Sequence, residues 1–140
     1  MVMDTKQYLS QIMKYDRMIK NKLEEIYQLR TMACNITVSN SGDRVQTSSD
    51  KDKIGCFVAK IADMEREVDE IIDKRYLIVK QIEDLEDVNS YDVLAQIYIL
   101  GKNLKAIAID MKIEYRHLTR LHEKALKDFD KTYKMSYNVL

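Results

Sequence analysis

Two arginines, Arg116 and Arg120, stand four residues apart in a stretch that mixes basic and apolar residues. On a helix, at about 100° per residue, they share one side with Glu123 and Lys127. The opposite side is apolar: Leu118, Leu121, Ala125 and Phe129. A guanidinium group is a planar fork of N–H donors and can pair with O6 and N7 of one guanine. The pattern predicts a helix that packs by its apolar side and exposes a side able to bind nucleic acid.

A shorter amphipathic helix is predicted just upstream of the two arginines. Its apolar residues repeat at i, i+3, i+4 and i+7: Leu104, Ile107, Ala108 and Met111. Asn103 suits its N-cap, because an Asn side chain can accept from an unpaired backbone N–H. Only the tripeptide 112–114 separates the two helices, which fits a helix-turn-helix. A further helix over residues 91–100, ended by Gly101, is expected to support the pair.

The predicted turn has unusual residues. Lys112 stands where such turns often have Gly, and Glu114 stands where a helix usually begins with Ser or Thr. A non-Gly residue with positive φ costs on the order of 1 kcal/mol, so a less rigid motif is expected. A plainer alternative is that these short helices pack against the rest of the chain without contacting DNA.

Two short motifs link this segment to a known family. Ile107-Ala108 matches an Ile-Ala pair before the turn in region four of bacterial sigma factors, and Lys124-Ala125-Leu126 matches a triplet late in the recognition helix. Nearly the whole chain resembles a bacteriophage-encoded family with a helical hairpin, a Ser-Gly-Asp-Arg-Val-Gln stretch (here 41–46) and a sigma-like end. The resemblance implies a phage transcription regulator or sigma-like factor that enters the major groove of double-stranded DNA and acts with host RNA polymerase.

The resemblance also assigns contact residues. It places base reading near the start of the second helix, on Tyr115, Arg116, His117, Thr119 and Arg120, with Lys124 and Lys105 on phosphates. Residues 88–140 carry nine Lys and Arg against six Asp and Glu, a net charge of +3. Phosphate attraction alone would then be weak and sensitive to salt, so a partner or a second copy of the chain is expected.

Long apolar stripes predict an N-terminal helical hairpin, or coiled coil, over residues 1–87, followed by the helix-turn-helix over residues 88–140. The expected fold is therefore all-α. The first helix, about residues 4–33, carries Leu9, Ile12, Ile19, Leu23, Ile26, Leu29 and Ala33 on its stripe. The second keeps an apolar heptad over residues 52–87, in which Arg75 is the one charged core position and needs a partner. The polar connection 34–51 is expected to be a mobile loop. The pattern leaves open whether the hairpin closes on itself or forms a homodimer.

The sequence lacks the motifs that are typical of enzymes, cofactor sites and metal sites. The sequence has no Gly-rich phosphate loop, nucleophile elbow or paired Cys and His, so neither an enzyme nor a cofactor is expected. Cys34 and Cys56 match no metal or redox spacing and are expected as free thiols, and no metal site is expected around the two histidines. Of these, His122 is expected to pack with one nitrogen satisfied.

The hydropathy of the sequence indicates its cellular setting. No apolar run is long enough to span a membrane, and residues 1–10 lack a signal peptide's apolar segment. A cytoplasmic protein without a membrane partner is expected, and the resemblance places it in a bacterial host cell.

The competing function is a coiled-coil adaptor whose sigma-like end binds RNA polymerase or another protein. A net charge of zero and Glu123 on the basic side favour that alternative.

Overall fold

Helices account for every regular element of the described chain. The computed structural model describes residues 3–39 and 48–138. Their order is α1 (Thr5–Ser39), α2 (Ser48–Glu83), α3 (Val88–Leu94), a π-helical turn (Ala95–Ile99), α4 (Leu104–Met111), α5 (Tyr115–Tyr133) and a 3₁₀ helix (Lys134–Asn138). The expectation of an all-α protein is confirmed for these residues. Their contacts group into two compact units, Arg17–Ile72 in one and Met1–Asp16 with Asp73–Leu140 in the other.

The two long helices extend further into their connection than the sequence predicts. Residues 34–39 belong to α1 and residues 48–51 to α2, so the expectation of a loop over 34–51 is wrong at both of its ends. Each added residue of an existing helix gains a hydrogen bond, and neither end contains a Gly or Pro to stop it. The Ser-Gly-Asp-Arg-Val-Gln stretch lies within residues that the structure does not describe.

In the unit of residues 17–72, α1 and α2 share a small apolar core. Its members are Ile26, Ile61, Met64 and Val68, with Ile19 and Leu29 packed against them. On α1, Lys22 stands between Ile19 and Ile26 on the same apolar stripe and is half-buried. Its ammonium group lies 2.5 Å from Glu67. That hydrogen bond raises the pKa of Lys22 above its ordinary value. Arg30 pairs with Glu65 further along.

Leu23 is a correction to the predicted stripe, because its side chain is 51% exposed. The α1 core follows the alternating four- and three-residue spacing 19, 22, 26, 29, which places Leu23 one position beside it. Because Lys22 is charged, this spacing is not recognisable in the sequence of α1. Its apolar stem can lie in the seam while its charged end reaches the solvent.

In the other unit, the start of α1 and the end of α2 pack with the C-terminal helices. Tyr8, Leu9 and Ile12 of α1 are completely buried, as are Ile78 and Ile82 of α2. This unit therefore includes residues from both sides of residue 87. The charged core position also has its expected partner, since Arg75 hydrogen-bonds Asp16.

An aromatic cluster forms the centre of this unit. The ring of Tyr8 stacks on Tyr137, with centroids 4.6 Å apart, and lies 5.9 Å from Phe129. Burying each such ring stabilises the fold by about 1.5–3 kcal/mol. The Tyr8 hydroxyl donates to Gln81 at 2.6 Å, and burial raises the pKa of Tyr8 to about 12. Around it, the Tyr137 hydroxyl donates to Thr5 at 3.1 Å. These contacts fix the start of α1 against α5 and the 3₁₀ helix.

The helix predicted over residues 91–100 begins earlier, at Val88, where Asp87 caps α3 by accepting from the Asn89 N–H at 3.0 Å. It continues directly into the π-helical turn. Gly101 then ends it with φ of 68°, a left-handed conformation that favours glycine, as its position in the sequence predicts. A Cβ at this residue would also lie 3.3 Å from the Met13 methyl group.

Candidate nucleic-acid interface

Three helices, α3, α4 and α5, meet around one core. Val93 of α3, Ile107 and Ala108 of α4, and Leu118 of α5 are all buried there. Partly buried neighbours surround them: Ile97, Leu104, Met111, Ile113 and Leu121. Further along α5, Ala125 and Phe129 are completely buried. The predicted apolar side of α5 is therefore its packed side, and the opposite side is left to the solvent.

The turn between α4 and α5 closes by a Schellman motif. The Ile113 N–H donates to Ala108 O at 3.1 Å, and the Lys112 N–H donates to Ile109 O at 3.2 Å. Lys112 takes the left-handed conformation, with φ of 59° and ψ of 41°. Each hydrogen bond contributes about 1 kcal/mol, and packing of Ile113 into the core adds to them. Together they outweigh the strain at Lys112, which is on the order of 1 kcal/mol.

The two N-caps differ, as the sequence predicts. The Asn103 side chain accepts from the Ala106 N–H at 2.7 Å and begins α4. Glu114 begins α5 without a side-chain hydrogen bond to the helix. Its negative charge still favours the positive end of the helix dipole, by a few tenths of a kcal/mol at an exposed position. The start of α5 is thus held mainly by the turn and by Leu118.

The structure exposes most of the residues predicted to contact DNA. Six of the seven are exposed: Lys105 on α4, and Tyr115, Arg116, His117, Arg120 and Lys124 on α5. Thr119 is half-buried, and its hydroxyl donates to the Tyr115 carbonyl at 3.0 Å. Thr119 can therefore offer an approaching base only an acceptor lone pair and its methyl group.

Lys124 has an acidic neighbour that the sequence does not reveal. Its ammonium group lies 3.7 Å from Asp87, the residue that caps α3. Ser90, which is buried, donates to Asp128 of α5 at 2.7 Å and ties α3 to the same stretch of α5. An exposed ion pair of this kind contributes at most about 1 kcal/mol. A DNA phosphate can therefore compete with Asp87 for Lys124.

His122 is packed, as predicted, and lies away from the exposed basic side. Its Nε2 atom lies 2.8 Å from the Tyr98 hydroxyl, and the two rings are 5.7 Å apart. Burial is the main cause that lowers the pKa of His122, and the positive charge of Lys6 lowers it further. Its neutral form is favoured, so His122 stabilises the contact between α5 and the π-helical turn.

The structure brings together three lysines that the sequence does not place near one another. Lys6 of α1, Lys127 of α5 and Lys134 of the 3₁₀ helix line one open pocket of about 600 Å³, beside Thr5 and Tyr137. More than 120 residues separate Lys6 from the other two along the chain. Helical periodicity places Lys127 on the side of Arg116, but nothing local in the sequence brings Lys6 there.

Comparisons with known proteins give this site no relative. No family model, curated protein or solved structure matches the chain. Within residues 3–39 and 48–138, no three or more His, Cys, Asp or Glu side chains could together hold a metal ion. Cys34 and Cys56 are free and exposed. In the same ranges, no helix has the length and apolar character needed to cross a membrane.

Proposed function

We propose that α4 and α5 form a helix-turn-helix of the sigma region-four kind, and that the protein is a transcription regulator or sigma-like factor. The observation that supports this most is the division of α5 into two sides. Leu118, Ala125 and Phe129 are completely buried, whereas Arg116 and Arg120 are exposed on the opposite side. A short hydrogen-bonded turn holds that helix in place.

The dimensions of α5 suit the major groove of double-stranded DNA. A helix with its side chains is about 10–12 Å across, and the groove is about 12 Å wide. Arg116 and Arg120 are separated by four residues, or about 6 Å of helix rise, close to two steps of about 3.4 Å along a DNA strand. We assign these two arginines to guanines, and Tyr115, His117 and Thr119 to neighbouring bases or sugars.

The lysines take the sequence-independent contacts. Lys105 stands on α4, the helix that crosses the DNA backbone in this motif, and Lys124 stands beyond the base-reading arginines. Each neutralises about one phosphate, and the displaced counterions make that affinity depend on salt.

We infer that α1 and α2 form the predicted hairpin. In the unit of residues 17–72, Lys22 pairs with Glu67 and the later Arg30 pairs with the earlier Glu65, so the helices run in opposite directions. A homodimer through this arm doubles the number of phosphate contacts, which compensates for the modest charge of the DNA-binding end. RNA polymerase of the bacterial host is the proposed protein partner, in the cytoplasm.

The second candidate is an adaptor that binds RNA polymerase, or another protein, instead of DNA. Two features of helices α4 and α5 favour this adaptor function. Glu123 interrupts the exposed basic side of α5, and Ile109, on α4, is 76% exposed. The Ile109 side chain has no polar group that could bind a phosphate, whereas it could pack against an apolar patch on a protein partner.

Electrophoretic mobility shift separates the two candidates. The full chain is mixed with a pool of random-sequence duplexes at low and moderate salt, and bound duplexes are recovered and enriched over several rounds. We expect an enriched sequence whose binding is lost in the Arg116→Ala/Arg120→Ala variant. The absence of any shift at low salt, together with capture of purified RNA polymerase by the wild-type chain, would favour the adaptor.

A further inference from the structure

The three lysines of the open pocket extend the exposed side of α5 beyond the helix-turn-helix. Lys127 stands three helical turns after Arg116, on the same side of α5. Lys134 lies in the 3₁₀ helix that directly follows, and Lys6 lines the pocket from α1. A row of cations therefore runs from the base-reading arginines to the start of the first helix.

The start of α1 is held firmly enough to make Lys6 a fixed part of this surface. Asp4 and Gln7 form a capping box, in which Asp4 accepts from the Gln7 N–H at 2.7 Å and its own N–H donates to the Gln7 side chain at 3.2 Å. Thr5 donates to Asp130 of α5 at 3.2 Å. One turn later, Tyr8 is buried against Phe129. Lys6 lies between these attachments.

The pocket also contains two carboxylates, Asp4 and Asp130, but both accept hydrogen bonds from the protein. Asp4 caps α1, and Asp130 accepts from the Thr5 hydroxyl. By contrast, Lys6, Lys127 and Lys134 make no ion pair within the part of the chain that the structure describes, and all three are exposed. The cations are therefore the groups left available to a ligand, and that ligand carries negative charge.

The distance along α5 indicates which part of DNA this ligand is. Lys127 follows Arg120 by seven residues, or about 10 Å of helix. The major groove is about 12 Å wide, so a helix that reads bases at Arg120 meets the sugar-phosphate rim about that far on. We infer that Lys6, Lys127 and Lys134 together bind the DNA backbone where α5 leaves the groove. This inference rests on the proposed function and adds to the DNA interface a residue from the other end of the chain.

The test uses the full chain and a random-sequence duplex of about 30 base pairs, because a phosphate contact does not depend on sequence. Lys6→Gln should lower affinity about three- to tenfold at low salt and reduce the slope of log K against log salt by about one unit. Lys14→Gln removes an exposed lysine of the same helix that does not line the pocket, and should leave both quantities unchanged. Circular dichroism melting should be the same for all three proteins.

Each outcome decides a different point. If the wild-type chain binds the duplex and Lys6→Gln binds it with the same affinity and slope, this inference is wrong and the proposed function stands. If the wild-type chain binds no duplex at low salt, the proposed function and this inference both fail.

A thermal-shift titration with inorganic phosphate tests the remaining source of the same chemistry. No shift is expected at millimolar phosphate, since the pocket is open and a single free anion meets only the exposed ends of flexible lysines. A stabilisation seen in the wild-type chain and absent in Lys6→Gln would mean that the pocket binds free phosphate, and would overturn the assignment to the DNA backbone.

Discussion

The Nε atom of Arg75 on α2 lies 2.5 Å from Asp16 on α1 and donates a hydrogen bond to it. Arg75 takes the only non-apolar position in the heptad run that includes Val68, Ile71, Ile78 and Ile82. The Arg75 side chain is 29% exposed and that of Asp16 is 43% exposed, so neither charge is fully desolvated. The contribution of this pair to stability is therefore expected to lie between that of an exposed ion pair, which is at most about 1 kcal/mol, and that of a buried one.

Removal of one partner of this pair should cost more than removal of both. We expect Asp16→Ala to lower the free energy of unfolding by about 1 kcal/mol, because Arg75 is left half-buried without an acceptor. Adding Arg75→Leu to Asp16→Ala should bring the free energy of unfolding back close to the wild-type value, since the double variant leaves neither charge unpaired and completes the apolar stripe. Urea denaturation of the two single variants and the double variant gives the coupling energy. Lys80 and Asp84, an exposed pair at the end of α2, serve as the control with a coupling below about 0.5 kcal/mol. Equal coupling in both cycles would contradict the special position of Arg75.

Lys112→Gly should stabilise the protein, although glycine usually destabilises helical proteins. The left-handed backbone of Lys112 is strained for any residue with a Cβ and costs glycine nothing. We expect a gain of about 0.5–1 kcal/mol, read as a higher Tm. Lys105→Gly, inside α4, is the matched control and should lose about 1 kcal/mol. A lower Tm for Lys112→Gly would show that the turn is not held in this conformation.

Acidification should weaken the fold through His122. Its folded pKa is lowered, mainly by burial, so the unfolded chain binds the proton more readily. The stabilisation is present above the unfolded pKa of about 6.5 and is lost as pH falls through the folded pKa. Between pH 7.5 and 5.5 we expect a loss of no more than about 1 kcal/mol, allowing for the partial exposure of the ring.

Urea midpoints at the two pH values measure this loss. The His122→Asn variant should show a smaller pH dependence than the wild-type chain. The exposed His117 provides the control, because His117→Asn makes the same substitution outside the packed side of the same helix. An identical pH dependence in the wild-type chain and His122→Asn would exclude His122 as its source.

Arg120 and Lys124 should differ in what they contribute to DNA binding. We expect Arg120→Ala to cost about 1–3 kcal/mol on an enriched site and much less on random duplex. Lys124→Ala should weaken binding to the enriched site and to random duplex by similar amounts and reduce the salt slope by about one unit. The reason is that Lys124, once it leaves Asp87, contacts a phosphate whatever the DNA sequence. Fluorescence anisotropy at several salt concentrations measures both effects. If Arg120→Ala keeps site-specific affinity but loses RNA polymerase, the adaptor function takes precedence.

The exposed apolar residues of the 17–72 unit predict self-association. Leu23 of α1 is 51% exposed and Ile72 of α2 is 44% exposed, while the core between the helices is small. Light scattering on the full chain should report a dimer at micromolar concentration, and Ile72→Glu should report a monomer with unchanged helicity. Gln28→Glu, which adds the same charge at an exposed polar position, should remain a dimer. A monomeric wild-type chain at tens of micromolar would refute the homodimer.

Periodicity was sufficient to predict the helices around the candidate site. The spacing of Leu118, Ala125 and Phe129 defines the packed side of α5, and Asn103 and Gly101 mark the helix ends that the structure contains. These features depend on residues within a few turns of one another. The left-handed Lys112 was also foreseeable, because the turn leaves no other residue in that position.

The errors have a different origin, since they concern residues that packing brings together over long sequence separations. From α1 alone Leu23 is the more plausible seam residue, and only the contact with α2 shows that Lys22 takes that position. The burial of Tyr8 depends on Phe129, and the proximity of Lys6 to Lys127 depends on the same contact. No local pattern encodes a neighbour more than 100 residues away.

The hydrogen bond from Tyr137 to Thr5 spans 132 residues of sequence and implies an order of events during synthesis. Helices such as α1 can form as soon as their residues emerge, because their hydrogen bonds are local. The aromatic cluster cannot close until Phe129 and Tyr137 have been translated, so the ring of Tyr8 lacks these partners while α2, α3 and α4 are made. The start of α1 therefore reaches its packed state only after α5 and the 3₁₀ helix have been made, and until then it can contact chaperones or other nascent chains.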